Sequence, residues 1–236
     1  NPKDGGEMVC VPAGEFWMGA AEGDNQALDD EKPGRQVFLD AYWIDRFEVT
    51  NAQYKTCVDA GVCTSPTDNR SNTRSSYYGT DSYQNFPVSF IDWNQANAYC
   101  AWVGEGLPSE AQWEKAGRGT DGRLYPWGNQ APTGSLANFS TNDTDAVGSY
   151  PAGVSIYGAE DMAGNVWEWI ADWYSGTYYQ ITSSRNPAGP EEGDVRVVRG
   201  SSWANGKKEL RSSARGRISP ELTGNFLGFR CSFSPR

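Results

Sequence analysis

The chain contains no histidine among its 236 residues. That absence removes imidazole general bases, Ser-His-Asp triads, HExxH zinc sites and imidazole-ligated copper or iron. No apolar run approaches the roughly 20 residues that a membrane-spanning helix needs. No two cysteines stand in Cys-x-x-Cys spacing, so a thiolate zinc site is not expected. Basic residues are in deficit: 20 Lys and Arg against 30 Asp and Glu give a net charge of −10. A nucleic-acid partner wants a basic stripe and is therefore not expected. An acidic chain suits cation binding, although a solvated surface accounts for most of these carboxylates.

Aromatic residues are plentiful where aliphatic ones are not: the hydrophobic fraction is 38%, yet there are 10 Trp, 12 Tyr and 9 Phe. Each large aromatic buries on the order of 150–250 Å², so they are expected to fill the core. The 27 Gly and 13 Pro imply many turns and much irregular backbone. The cysteines are Cys10, Cys57, Cys63, Cys100 and Cys231, an odd number that leaves at least one unpaired. Cys57 and Cys63 flank a short turn and are read either as a bridge or as two buried thiols; disulfides and an oxidising compartment are the preferred reading. The chain opens on Asn1 without a signal peptide, which a removed leader and a trimmed chain would explain equally.

Helix starts recur with one chemistry. Thr50 precedes Gln53, Asp92 precedes Gln95 and Ser109 precedes Gln112. In each, the cap oxygen takes an orphan N–H and the residue three later reaches back. Helices are expected at 51–59, 93–103 and 110–117. Residues 8–19 read as two short strands in a hairpin, 36–44 as one strand, and 195–199 and 229–233 as two more. Residues 64–85 read as a long polar loop, and 119–195 shows no clear helix. No repeat or linker divides the chain, so residues 1–236 are expected to form one α+β domain.

The ordered motifs Val11-Pro12-Ala13-Gly14, Met18-Gly19, Asp45 to Asn51, Phe86-Pro87-Val88-Ser89, Ala98-Tyr99-Cys100 and Leu107 to Glu114 resemble those of the formylglycine-generating enzyme (sulfatase-modifying factor) family. Tyr125-Pro126-Trp127-Gly128, Gly164-Asn165-Val166-Trp167-Glu168-Trp169 and Gly228-Phe229-Arg230-Cys231 complete the set. The resemblance implies the irregular C-type-lectin-like fold, with few short strands and about three helices. It also implies a Cys100–Cys231 disulfide, and calcium held by the Asp161 carboxylate, the Gly164 and Val166 carbonyls and the Glu168 carboxylate. Calcium takes about 6–8 hard oxygens, carboxylate and carbonyl alike. The competing reading pairs Glu168 with Arg199 or Arg230. A second family calcium site would begin at Asn138 and Phe139, with Asp143 or Asp145 as substitute ligands.

Family oxidases hold Cu(I) between two thiolates on the segment after an Arg-Gly-Gly-Ser-aromatic motif, because soft sulfur suits Cu(I) and one thiol exchanges with the substrate cysteine. Here that segment, Ala204 to Arg211, has no cysteine, and Asn205 stands where the first thiolate would be. Copper is therefore not expected, and the oxidase reading is disfavoured. A histidine-ligated iron branch of the family is excluded by composition. The 203–226 segment is instead read as an exposed, basic, aromatic-framed surface for a protein, peptide or glycan. Its candidate contacts are Trp203, Asn205, Lys207, Lys208, Glu209, Arg211, Arg215, Arg217 and Phe226. The expected function is a non-catalytic recognition module placed outside the cell, at its surface or in a periplasm. A divergent formylglycine-type oxidase, a self-assembling structural subunit and a retroelement-diversified receptor are the alternatives.

Overall fold

Three capping boxes set the main helices in the computed structural model, which describes residues 1–235. At α1 (Asn51–Asp59) the Gln53 N–H donates to Thr50 Oγ1 at 3.3 Å, and Gln53 Oε1 accepts from the Thr50 N–H at 2.9 Å. Asp92 and Gln95 open α2 (Trp93–Val103) in the same way, and Ser109 and Gln112 open α3 (Glu110–Arg118). Each cap contributes about 1 kcal/mol. The expected boundaries hold to within one residue. Gly104, at φ 88°, supplies the left-handed turn that ends α2.

Among the described residues the strands form three small sheets. The first has the antiparallel order β1 (Met8–Val11), β4 (Tyr42–Asp45), β9 (Ser232–Phe233). The second pairs β2 (Gly14–Met18) with β3 (Arg35–Leu39). The third has the order β7 (Gly216–Ile218), β6 (Arg196–Arg199), β5 (Trp167–Trp173), β8 (Leu227–Gly228), with β5 and β8 parallel.

Several strand expectations are corrected by this arrangement. β1 and β2 do not form a hairpin. Pro12, with no N–H to donate, interrupts the ladder between them, and each strand pairs in a different sheet. The single strand expected over 36–44 is two, divided at the exposed Asp40, whose carboxylate is held by Arg185 and Asn186. The 229–233 strand shrinks to β9, with β8 just before it. Within 119–195 the chain forms the four-residue α4 (Tyr178–Ile181) and, more consequentially, β5. β5 escapes a period-two reading because both faces are buried and carboxylates sit inside: Glu168 is 0% and Asp172 2% exposed.

β5 also serves both halves of the core. Ile170 packs with Val11, Phe16, Val37, Ile44, Trp113 and Tyr179. Trp169, pointing the other way, packs with Val49, Tyr54, Val88, Tyr99 and Phe229. Both disulfides are present, Cys57–Cys63 across the turn after α1 and Cys100–Cys231 tying α2 to the chain between β8 and β9. Cys10 is free and exposed. Since Cys100 and Cys231 are 131 residues apart and Cys57 and Cys63 only 6, the loop-entropy model separates their worth. Replacing the first pair by alanine should lower urea-derived stability by about 4–5 kcal/mol, and the second by about 2 kcal/mol.

Candidate functional site

The segment from Trp203 to Phe226 leaves the end of β6 with little ladder of its own, so its carbonyls need donors from elsewhere. Arg199, fully buried on β6, supplies them. Its Nη1 donates to the Ser213 and Ala214 carbonyls at 2.9 and 2.6 Å, and Nη2 to the Ser212 carbonyl at 2.6 Å. The opposing charge comes from α3, where Glu110, Glu114 and Arg118 recur every fourth residue and so share one face. That face turns inward. Glu114 Oε2 accepts from Arg199 Nη2 at 2.7 Å, and Glu114 Oε1 from Arg118 Nη1 at 2.8 Å. Glu110 accepts from Arg215 Nε and Nη2 at 2.7 and 2.9 Å.

A second fork fixes the other end of the segment. Arg211 donates to both oxygens of Glu31, at 2.6 and 2.7 Å, and to Asp24 at 2.8 Å. Burial pushes the Glu31 carboxyl up, but the hydrogen bonds and charge of Arg211 outweigh it and leave the group below its ordinary range. Burial likewise works against the Arg215 charge, and Glu110 more than offsets it. Bidentate, charge-assisted geometry of this kind is what offsets the desolvation of buried ions.

The outward-facing residues are correspondingly few. Arg211 and Arg215, expected as ligand anchors, are 4% and 8% exposed and fully engaged. Arginine is the side chain whose planar fork satisfies several buried acceptors at once, so the composition alone could not distinguish anchor from strut. Trp203 is also buried, its Nε1 donating to the Asn225 carbonyl at 3.2 Å. Asn205 is half-buried; its Oδ1 accepts from Trp167 Nε1 at 2.9 Å and from Ser202 Oγ at 2.7 Å. Glu209 and Phe226 are half-buried, while Lys207, Lys208 and Arg217 face solvent. Arg217 Nη1 donates to the Tyr174 hydroxyl at 2.9 Å.

Asp161, Gly164, Val166 and Glu168 lie on one buried stretch leading into β5. Glu168 is paired with Arg230, at 2.7 Å to Nε and 2.9 Å to Nη2, and its Oε2 also accepts from Trp113 Nε1 at 2.8 Å. About three of its four lone-pair positions are thus taken. Nearby, Glu48 is 1% exposed and accepts from Asn165 Nδ2 and the Val166 N–H at 2.6 and 3.1 Å. Burial pushes the Glu48 carboxyl well up, and the charges of Asp161 and Glu168 push it further. Burial pushes Asp161 up to about 6, although its Oδ2 accepts from the Gly148 N–H. Among the described residues, the carbonyls of Gly164 and Val166 accept no hydrogen bond. Buried carboxylates in excess of guanidinium charge, beside two orphaned carbonyls, are the donor types a hard cation takes.

The second expected cation position is differently occupied. Asp143 Oδ2 accepts from Ser71 and Thr73 and forms an ion pair with Arg74 at 3.0 Å, Asn138 Oδ1 accepts from Thr141, and Asp145 Oδ2 from the Tyr150 hydroxyl. Protein donors engage Asn138 and Asp143, while Asp145 keeps its other carboxylate oxygen free of hydrogen bonds among the described residues.

This α+β arrangement is that of PvdO from Pseudomonas aeruginosa, with a TM-score of 0.83 and 27% identity over 99% of this chain and 96% of that one. The profile of the sulfatase-modifying factor enzyme 1-like domain matches residues 1–234, and the chain belongs to that family. It is 33% identical to the formylglycine-generating enzyme of Streptomyces coelicolor over 287 residues, covering 98% of this chain and 90% of the enzyme. It is 37% identical over 239 residues to the serine/threonine-protein kinase pkn1 of Chlamydia caviae. That match covers 96% of this chain and spans only 38% of the kinase's length. Among the described residues, no helix is long and apolar enough to cross a membrane.

Two outcomes follow from the buried charges. Glu114→Gln strands Arg199 and Arg118 and should cost about 3–5 kcal/mol in denaturant unfolding; a loss under 1 kcal/mol would contradict the role given to Glu114. Asp172, whose Oδ1 accepts from the Glu110 N–H, is pushed by burial and then by the Glu110 charge from 3.8 up to about 8. The folded chain thus holds a proton that the unfolded chain has lost. Its stabilising contribution is whole below pH 3.8 and falls away as pH rises towards about 8. Asp172→Asn keeps the acceptor and should flatten that decline in a pH series of melting curves.

Proposed function

We propose that this domain is a non-catalytic recognition module that binds an anionic protein, peptide or glycan through the outer side of the 203–226 segment. One observation carries the reading: where a family oxidase needs two thiolates, this chain offers an Asn205 amide committed to Trp167 and Ser202, followed by solvent-facing lysines. An amide is a poor Cu(I) donor. Cys10, the free thiol, sits on β1 in a different sheet. Lys207, Lys208 and Arg217 are the cations left for a ligand once Arg211 and Arg215 are committed inward. The family's histidine-dependent iron chemistry has no ligands here, because the chain has no histidine.

Calcium belongs to the same proposal as a structural ion, held by Asp161, Gly164, Val166 and the remaining capacity of Glu168, where it would balance the surplus buried carboxylate. Two disulfides suit an oxidising place outside the cytoplasm.

The experiment is a pair of titrations and an array. Cu(I) should show no tight stoichiometric binding, and a Cys-x-Pro-x-Arg peptide should yield no aldehyde. Acidic peptides or sulfated glycans should bind, and the Lys207→Ala/Lys208→Ala/Arg217→Ala variant should weaken that binding about tenfold, chiefly at low salt. A blank array, or aldehyde formed with turnover, overturns the reading. Millimolar calcium should raise the melting temperature, and less so in Asp161→Asn; no shift in the unaltered protein removes the ion from the account.

A further inference from the structure

A cavity of about 380 Å³ opens between the β2–β3 pair, the loop after β2 and the turn after α3, and no residue of the 203–226 segment lines it. Its floor is the cross-strand pair Trp17 and Gln36. Its walls are Ala21 and Glu22 on one side and Thr120 and Asp121 on the other.

The walls are fixed rather than fortuitous. Trp17 Nε1 donates to the Ala20 carbonyl at 2.8 Å, which locks the indole. Position 34 must be glycine for this: a Cβ there would lie 2.1 Å from the Ala20 oxygen and 2.5 Å from Trp17 Nε1. Asp24, just beyond Glu22, is gripped by Arg211. The opposite turn is held by Arg118, whose Nε donates to the Arg123 carbonyl at 3.2 Å, and by the Arg123–Asp121 ion pair at 2.7 Å. Three guanidinium groups therefore build the frame, and none is left over to serve the cavity.

The groups that face the opening have spare capacity. Among the described residues, the side chains of Glu22, Gln36 and Thr120 make no hydrogen bond, and Glu22 has no cationic partner. An indole and a carboxylate without an ion-pair partner lining one cavity, with amide and hydroxyl acceptors alongside, is an environment that attracts a cationic nitrogen. The net charge of −10 adds a field of the same sign. We propose that this cavity is a second binding site, separate from the 203–226 surface, that accepts an alkylammonium or guanidinium group: Trp17 stacks on the cation, and Glu22 and Gln36 accept its hydrogen bonds.

The test is calorimetric titration at low salt with an Nα-acetylated lysine–glycine peptide, the same peptide further acetylated at every Nε, and spermidine. The lysine peptide should bind and the Nε-acetylated form should not. Glu22→Gln should weaken binding at least about fivefold, and Trp17→Ala further. Should Trp17→Ala fail to fold, Gln36→Ala and Glu22→Gln carry the test. Glu191→Gln, an exposed carboxylate on another loop, should change nothing and so exclude general attraction to the acidic surface. Lys207→Ala/Lys208→Ala should also leave this binding intact, which separates its failure from failure of the anionic-ligand site. Spermidine binding more tightly than the peptide would support the site and make the source a free polyamine. Equal binding of the Nε-acetylated peptide, or indifference to Glu22→Gln, overturns the proposal.

Discussion

The Arg199 guanidinium is the constraint around which this molecule is arranged. It enters from β6, meets Glu114 of α3, and donates to three consecutive carbonyls of a stretch with little ladder of its own. Without that donor the Ser212–Ala214 backbone would carry orphaned acceptors in a dry interior, each an expensive loss. Arg215 on Glu110 and Arg211 on Glu31 and Asp24 repeat the device on either side. A chain with much irregular backbone and a modest aliphatic core thereby replaces missing sheet with forked charge pairs. The value of such pairs lies less in net stability than in fixing one arrangement, since either partner alone would be strongly unfavourable.

That device separates support from display. The inward arginines carry the segment, and the outward Lys207, Lys208 and Arg217 can change without disturbing the frame. The same logic reaches the loop after β2. Because Arg211 grips Asp24 and Glu31, it joins the 203–226 segment to the wall that carries Glu22. Two surfaces of opposite charge thus share one buried strut. On the other side of β5, Glu48, Asp161 and Glu168 crowd around Arg230 with carboxylate to spare, a local imbalance in which a bound cation would be welcome.

The sequence was most readable where local chemistry decides. Capping boxes at Thr50, Asp92 and Ser109 placed three helices almost to the residue, because a cap is a contact between near neighbours. The motif order carried the family and with it the Cys100–Cys231 bridge. Arg199 and Arg230 were legible as partners of buried carboxylates, and Arg230 is indeed the partner of Glu168. What could not be read is which charges turn inward. Nine of the thirty acidic residues are buried, and the spacing of Glu110, Glu114 and Arg118 is as suited to a solvated helix face as to a core lattice. Arg211 and Arg215 were hidden for the same reason: their partners lie about 180 and 105 residues away. β5 was missed because inward carboxylates erase the alternation that marks a strand.

Amide hydrogen exchange over residues 211–215, which precede the β7 ladder, measures the central claim most directly, that buried guanidinium groups hold an otherwise unladdered segment as a rigid platform. The account predicts protection close to that of β5 and β6. Exchange as rapid as in the polar 64–85 loop would contradict it, because the segment would then be an open surface loop and the struts would bear nothing.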